Sequence, residues 1–290
     1  VRQLRQSRVL EAEAASLAYG YALVLLRSQV AQSYFRLRDI DRRIGILEAT
    51  IAVRDEAMGL VEIRLQSGLS DELEMAQART EYASALADLE RARGNRESVE
   101  NALATLTGAF ATHFELERVE DYRAPSVAAP PSVAADALRR RPDVAEALQL
   151  VKAASERIGA RVAEYYPSLS IGGDFGYASS DTDNWFDDAS RLWSLGPSVD
   201  LPIFQGRDRA LRLELAEIEY RQLFNAYHRQ LLRAVEEVES SLATLRQLAR
   251  EQEALESAST AASRAAELAR QRYESGLVSY LEVVDTERAA

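Results

Sequence analysis

The chain carries one segment twice. Residues 30–74 reappear without a gap 208 positions later: Val30 falls on Val238, Ser33 on Ser241, Leu37-Arg38 on Leu245-Arg246, Leu47-Glu48 on Leu255-Glu256 and Leu60 on Leu268. The match is densest where Arg64-Leu65-Gln66-Ser67-Gly68-Leu69 lies on Arg272-Tyr273-Glu274-Ser275-Gly276-Leu277, and it continues to Leu73-Glu74 on Leu281-Glu282. Two merely helical segments do not share a gapless register over such a span by chance. One structural unit is therefore used twice, and the chain is built by pseudo-symmetry. Two copies of a long helical unit suit a ring or tube better than an enzyme pocket.

From Val1 to about Gln66 there is no proline, and Leu37, Ile40, Ile44, Leu47 and Ile51 recur at steps of three and four, the period of one helix face. Unbroken, such a helix is roughly 100 Å long. Gly20, Gly45 and Gly59 weaken it locally, each by about 1 kcal/mol against alanine. A helix of that length needs lateral partners all along it rather than one compact core. Ser67-Gly68 supplies a stop, since glycine takes the left-handed conformation that closes a helix C-terminus. Ser70 or Asp71 caps a new start, with Glu72 and Glu74 near its positive end. The pattern predicts an αα-hairpin with a tight tip, whose return helix runs to about Leu106 and ends at Thr107-Gly108. A second proline-free helix is predicted from about Arg207 to Tyr273.

Between them, residues 121–133 (DYRAPSVAAPPSV) form a proline- and alanine-rich connector. A short helix is expected from about Ser132 to Arg140, and Pro142-Asp143 restarts the chain as a first helical turn. The period then changes to two. Leu169, Ile171, Phe175 and Tyr177 alternate with Ser170, Gly172, Asp174 and Gly176; after a polar loop from Ser179 to Ser190, Trp193, Leu195, Val199 and Leu201 alternate with Ser194, Gly196, Ser198 and Asp200. Two ten-residue strands, apolar on one face, fit a transmembrane β-barrel hairpin. A half-buried sheet in a soluble protein gives the same alternation. Tyr165, Tyr166, Tyr177, Trp185 and Trp193 stand near the strand ends, as an interfacial girdle would, and Pro202 and Gly206 close the hairpin.

Chemistry finds little foothold. The chain has no cysteine, which excludes disulfides and thiolate metal sites. A net charge of −11 argues against nucleic acid as a partner. His113 and His228 lack partner spacing for a metal or a nucleophile–base pair. Asp174-Phe175-Gly176 spells a kinase motif inside an alternating strand, without the companions that motif needs. Residues 1–290 show no signal-peptide pattern, and no apolar run of about 18 residues or more is expected to span a membrane; the best candidate, Leu17–Leu26, is expected to be a buried helix face. Val1 opens without Met and Ala290 stops inside a helical pattern, so an internal portion of a longer protein is expected. The carboxylates after the second tip are different. Glu282 and Asp285, three apart, project from one side of the helix start. In a single chain they are a dipole-favoured first turn; in several copies around an axis they become a negative ring that narrows and selects a pore. The first tip offers Glu74 and Gln77 at the equivalent positions.

Taken in order, Arg140-Arg141-Pro142-Asp143, Tyr166-Pro167-Ser168-Leu169-Ser170-Ile171, Pro197-Ser198-Val199-Asp200-Leu201-Pro202-Ile203-Phe204, Arg272-Tyr273-Glu274-Ser275-Gly276-Leu277 and Tyr280-Leu281-Glu282-Val283-Val284-Asp285 resemble the outer-membrane efflux proteins, the TolC/OprM-like channel-tunnels of Gram-negative bacteria. The resemblance covers nearly the whole chain. It implies a mainly α fold with a β-hairpin, in which long antiparallel helical hairpins form an α-barrel and the strands join a trimeric outer-membrane β-barrel. It divides the chain into a first long helical hairpin (1–120), a linker with equatorial and ascending helices (121–166), an outer-membrane β-hairpin (167–204) and a truncated second long hairpin (205–290). It implies a homotrimer in the bacterial outer membrane, in contact with its lipid and extending into the periplasm. A periplasmic adaptor protein and an inner-membrane efflux pump are the implied partners. The implied activity is export of drugs or other small molecules without catalysis, cofactor or metal. Glu282 and Asp285 map onto the periplasmic aperture. Arg64, Ser67, Gly68, Leu69, Arg272, Ser275, Gly276 and Leu277 map onto the adaptor-docking tips. Two other classes compete: a periplasmic adaptor, which would need lipoyl-like β segments, and a soluble periplasmic coiled-coil scaffold.

Overall fold

The computed structural model describes residues 1–119, 122, 123, 130, 135–180, 182–201 and 203–289. Most of the 121–133 connector, the Ser132 start of the short helix and Pro202 lie outside the described residues. Among these residues six α-helices and two strands follow in the order α1 (Arg2–Gln66), α2 (Glu72–Thr107), α3 (Ala135–Arg139), α4 (Pro142–Ala163), β1 (Ser168–Tyr177), β2 (Arg191–Asp200), α5 (Gly206–Glu274) and α6 (Tyr280–Ala289). The residues cluster into two compact units, Val1–Tyr21 with Val133–Val238 and Ala22–Ser132 with Glu239–Ala290.

In the second unit α1 and α2 form an antiparallel pair. Leu37, Ile40 and Ile44 of α1 interdigitate with Leu89, Ala92, Val99 and Leu103 of α2, and Phe114 and Leu116 pack onto the same cluster. Apolar residues at three- and four-residue steps on both helices make this seam. Beside it lies a buried charged clamp. Asp41, fully buried, accepts hydrogen bonds from Arg38 Nη1 (2.8 Å) and Arg96 Nε (2.7 Å). Arg96 reaches on to Glu100 (3.0 Å) and to the Leu116 carbonyl (2.6 Å), Arg38 donates to the Glu117 carbonyl (2.8 Å), and the Leu116 N–H donates to Glu100 (2.5 Å). Buried charges persist only when paired and hydrogen-bonded; here the pairing stitches the strand-like segment after α2 onto the helix pair.

In the first unit α4 is anchored by its first turn. Arg141 binds Asp143 with two nitrogens (3.1 and 2.8 Å) and Glu237 with one (2.7 Å), while Gln230 Nε2 donates to Asp143 (2.7 Å). Burial works against the Asp143 charge, but the hydrogen bonds from Arg141 and Gln230 outweigh it and hold the carboxyl below the usual carboxylate range. Arg157 of α4 bridges Glu11 and Glu219. At the other end of α4, Arg209 donates to the Glu164 carbonyl, meeting the negative end of the helix.

β1 and β2 pair antiparallel, from Ser168 opposite Asp200 to Tyr177 opposite Arg191. This register sorts the residues by face. Leu169, Ile171, Phe175 and Tyr177 share one face with Val199, Pro197, Leu195 and Trp193; Ser168, Ser170, Gly172 and Asp174 share the other with Asp200, Ser198, Gly196 and Ser194. On the small-residue face Ser170 and Ser198 hydroxyls meet at 2.7 Å and Ser194 donates to Asp174 at 3.2 Å. The apolar face is open: Leu169 is 71% and Trp193 73% exposed.

Leu17–Leu26 departs from the buried face expected for it. Val24, Leu25 and Leu26 are all exposed, and α1 contains a stretch long and apolar enough, by length and composition, to cross a membrane, only 6% of it buried. Consecutive helical residues point about 100° apart at 3.6 per turn, so three apolar neighbours in a row cannot share one packing face.

Candidate functional site

The repeated hexamers close their helices with the same hydrogen bonds. Gly68 has φ 71° and Gly276 φ 74°. The Leu69 N–H donates to the Arg64 carbonyl at 2.8 Å, and the Leu277 N–H to the Arg272 carbonyl at 2.9 Å. Both are Schellman closures in which a left-handed residue lets the chain satisfy the last helical carbonyls. Ser67 and Ser275 hydroxyls bond back to the carbonyls of Ile63 (2.8 Å) and Gln271 (2.9 Å). Among the tip residues, Leu69 (69%) and Leu277 (71%) are large apolar side chains left open to solvent. Asp71, not Ser70, caps α2: its carboxylate accepts the Glu74 N–H at 2.9 Å.

Beneath the turns the tips are joined to one another. Val61, Met75 and Ala78 of the first hairpin pack with Ala269, Tyr273, Tyr280, Val283 and Val284 of the second. Arg64 turns inward, its guanidinium 4.7 Å above the Tyr273 ring and hydrogen-bonded to the Tyr273 carbonyl at 3.1 Å. Glu74 accepts from Ser70 Oγ (2.6 Å), from the Tyr273 hydroxyl (3.3 Å) and from the Tyr280 N–H (3.3 Å). Burial, reinforced by the Glu74 charge, pushes the Tyr273 phenol up to about 12, and burial likewise raises Tyr280. Two turns further along α2, Glu81 takes Arg54 (3.0 Å) from α1 and Arg288 from α6, while Arg270 of α5 binds Glu287 of α6 at 2.6 Å.

The four positions picked out by the repeat thus have four fates. Glu74 is committed to the joint between the tips. Gln77 carries no charge. Glu282 is exposed and paired with Arg272 at 3.3 Å. Asp285 is exposed and forms no hydrogen bond or ion pair among the described residues; its charge is felt by Arg288, whose pKa it helps raise after the larger effect of Glu81. Glu282 and Asp285 share the exposed side of α6, with Val283 and Val284 buried behind them. Arg64 stands apart from the other residues mapped to the docking tips, because it faces the neighbouring hairpin instead of solvent.

Sequence reasoning missed the Arg64–Tyr273–Glu74 joint. Its signal was a mismatch: within the matched hexamers Leu65 faces Tyr273, and a Tyr placed where its copy has Leu needs a partner for its hydroxyl. Among the described residues no group of three His, Cys, Asp or Glu side chains gathers as a metal site.

Comparison with known proteins points one way. A profile of the outer membrane efflux protein family matches residues 1–109 and 133–290. The cation efflux system protein CusC of Escherichia coli (strain K12) is 33% identical over 270 residues, covering 92% of this chain and 58% of CusC. Outer membrane protein OprJ of Pseudomonas aeruginosa is 29% identical over 291 residues, 100% of this chain and 61% of OprJ. A solved structure of the outer-membrane channel OprN superposes with a TM-score of 0.89 at 26% identity, over 99% of this chain and 65% of that one. The chain therefore spans 58–61% of the length of these two curated relatives.

Proposed function

The chain belongs to the outer membrane efflux protein family, and from that premise we propose that it supplies the core of a subunit in a trimeric outer-membrane channel-tunnel. The observation that carries the reading is the register of β1 and β2. Apart from the Arg191–Leu192 end, where Arg191 joins the apolar face and Leu192 the other, it gathers the apolar side chains on one open face and small or polar ones on the other. Ten residues per strand match what a tilted strand needs to cross the hydrocarbon core. The apolar face meets outer-membrane lipid and the small-residue face lines the lumen. The helical hairpins continue the conduit into the periplasm, with the division at 1–120, 121–166, 167–204 and 205–290 as its working parts.

The protein performs no chemistry in this reading. Small molecules, drugs or cations arrive from an inner-membrane pump by way of a periplasmic adaptor. The exposed Leu69 and Leu277, held on Gly-closed turns, are the anchors such an adaptor would grip, since docking would take these apolar side chains out of water. The joint of Arg64, Tyr273 and Glu74 ties the two tips of one subunit, and entry to the tunnel requires it to shift. Asp285, repeated around the axis, forms the negative ring of the periplasmic aperture. The adaptor and soluble-scaffold readings are not favoured, since the relatives and the open apolar strand face both support a membrane channel.

The test is single-channel conductance of the full-length protein in a planar bilayer. Stable, cation-preferring steps are expected, and Asp285→Ala is expected to lower the cation preference while leaving assembly intact. A full-length protein that stays in aqueous buffer without detergent and never inserts would overturn the channel reading. Unaltered selectivity in the Asp285 variant would overturn the ring.

A further inference from the structure

We infer that Arg272 sets the charge of the aperture: by pairing with Glu282 it leaves each subunit with one uncompensated carboxylate, Asp285, instead of two. The inference rests on the aperture reading and deepens it.

The two carboxylates occupy one side of α6, yet their surroundings differ. Arg272, in the last turn of α5, holds a guanidinium nitrogen 3.3 Å from Glu282 Oε1, across the tight turn from α6. Asp285, one turn further into α6, has no such partner among the described residues. The equivalent positions of the first tip add no free charge, because Glu74 is occupied by three donors and position 77 is Gln. Arg288 feels the Asp285 charge but is bound to Glu81, so among the described residues the one ion pair made by either carboxylate is that of Glu282 with Arg272.

Stability does not explain the pair. Arg272 is 57% and Glu282 46% exposed, and ion pairs as open as this contribute about 0–1 kcal/mol. What they do change is the local field, since each compensated carboxylate is removed from the ring that attracts cations and repels anions. The repeat reinforces the point. Arg64, the copy of Arg272, is spent on Tyr273 of the other hairpin. The duplicated arginine has thus been put to two uses, one mechanical and one electrostatic. Arg272 is accordingly a specificity-determining residue, not solely part of a docking surface.

The experiment measures the cation-to-anion permeability ratio of the full-length protein in planar bilayers for four variants. Arg272→Ala is expected to raise the ratio at least about twofold at ~0.1 M salt, where the screening length is about 10 Å, and to lose that gain toward 1 M, where it is about 3 Å. Arg272→Lys should stay near the wild type. Arg272→Ala with Glu282→Gln should return to it, a reversal that loosened packing would not produce. Asp285→Ala tests the aperture itself. If it lowers the ratio and Arg272→Ala does not raise it, the role of Arg272 is overturned while the aperture stands. If Arg272→Ala raises the ratio and Asp285→Ala changes nothing, Arg272 keeps its role and the Asp285 ring is overturned. Loss of export in cells with an unchanged ratio in bilayers would make Arg272 a docking residue and overturn the inference.

Discussion

The two helix tips are copies that the fold has set to different tasks. Both end on Ser-Gly-Leu, both close with the same backbone hydrogen bonds, and both Ser hydroxyls bond back into their own helices. Their side chains then diverge. The first tip reaches across, with Arg64 and Glu74 both spent on Tyr273 of the second. The second tip keeps its arginine to itself, pairing Arg272 with Glu282 within one hairpin. The lesson is that a duplication conserves what is local, the turn, and releases what is long-range, the partners. A joint between unlike halves cannot be made by two identical ones; the replacement of Leu65 by Tyr273 breaks the symmetry.

The sharpest way to break this comparison is Tyr273→Ala. It removes a ring that is 3% exposed, the surface under Arg64 and the donor to Glu74 together. A loss of about 3–5 kcal/mol is expected from the lost burial and the cavity together, read as an earlier urea midpoint and a larger mean conductance as the tips part. Leu65→Ala, at the copy of that position, is expected to cost far less and leave conductance unchanged. Equal effects of the two would mean that the tips are equivalent after all. A middle-sized effect tests what the tips share. Gly68→Ala and Gly276→Ala both force a Cβ into the left-handed region, at about 1–2 kcal/mol each, so their unfolding midpoints should fall together. A large gap between them would show that one turn is not the simple closure described.

The smallest effect tests the joint's electrostatics. The Tyr273 phenol is raised from 10.0 to about 12, so the neutral form is favoured in the folded state. Its contribution is fully present below pH ~10 and is lost as pH rises through about 12. Tyrosinate absorbance, compared between the wild type and Tyr273→Phe, should show this one phenol titrating late. Glu74→Gln should bring it back toward 10, at a stability cost of about 0.5–1.5 kcal/mol. A late titration that survives Glu74→Gln unchanged would assign the whole shift to burial and leave Glu74 without an electrostatic part in the joint.

Much of the molecule was legible from the residues alone, for reasons that are local. The hexamer repeat foretold two equal turns because Gly68 and Gly276 carry their left-handed conformation with them. Alternation over Leu169–Tyr177 foretold which side chains share a face, since a strand's period is two wherever it lies. The mainly α fold with one β-hairpin followed from those same patterns. Where reasoning went astray, the sequence held a composition without a geometry. Leu17–Leu26 reads as an apolar run, but its residues are spread around the helix and none of them is fully buried. Arg64 and Arg272 read as the same residue twice.

What the sequence determined by itself is therefore the set of elements and their ends: two long helices stopped by glycine, two strands with sorted faces, and carboxylates grouped at the start of α6. Only the tertiary structure decided which charges stay uncommitted. Glu74 is consumed by a tyrosine 199 positions away, and Glu282 by the arginine the turn brings back beside it. Asp285 is left without an ion pair among the described residues. Backbone conformation is settled by the residue and its neighbours, whereas the partner of a charge is settled by what the fold brings within a few ångströms.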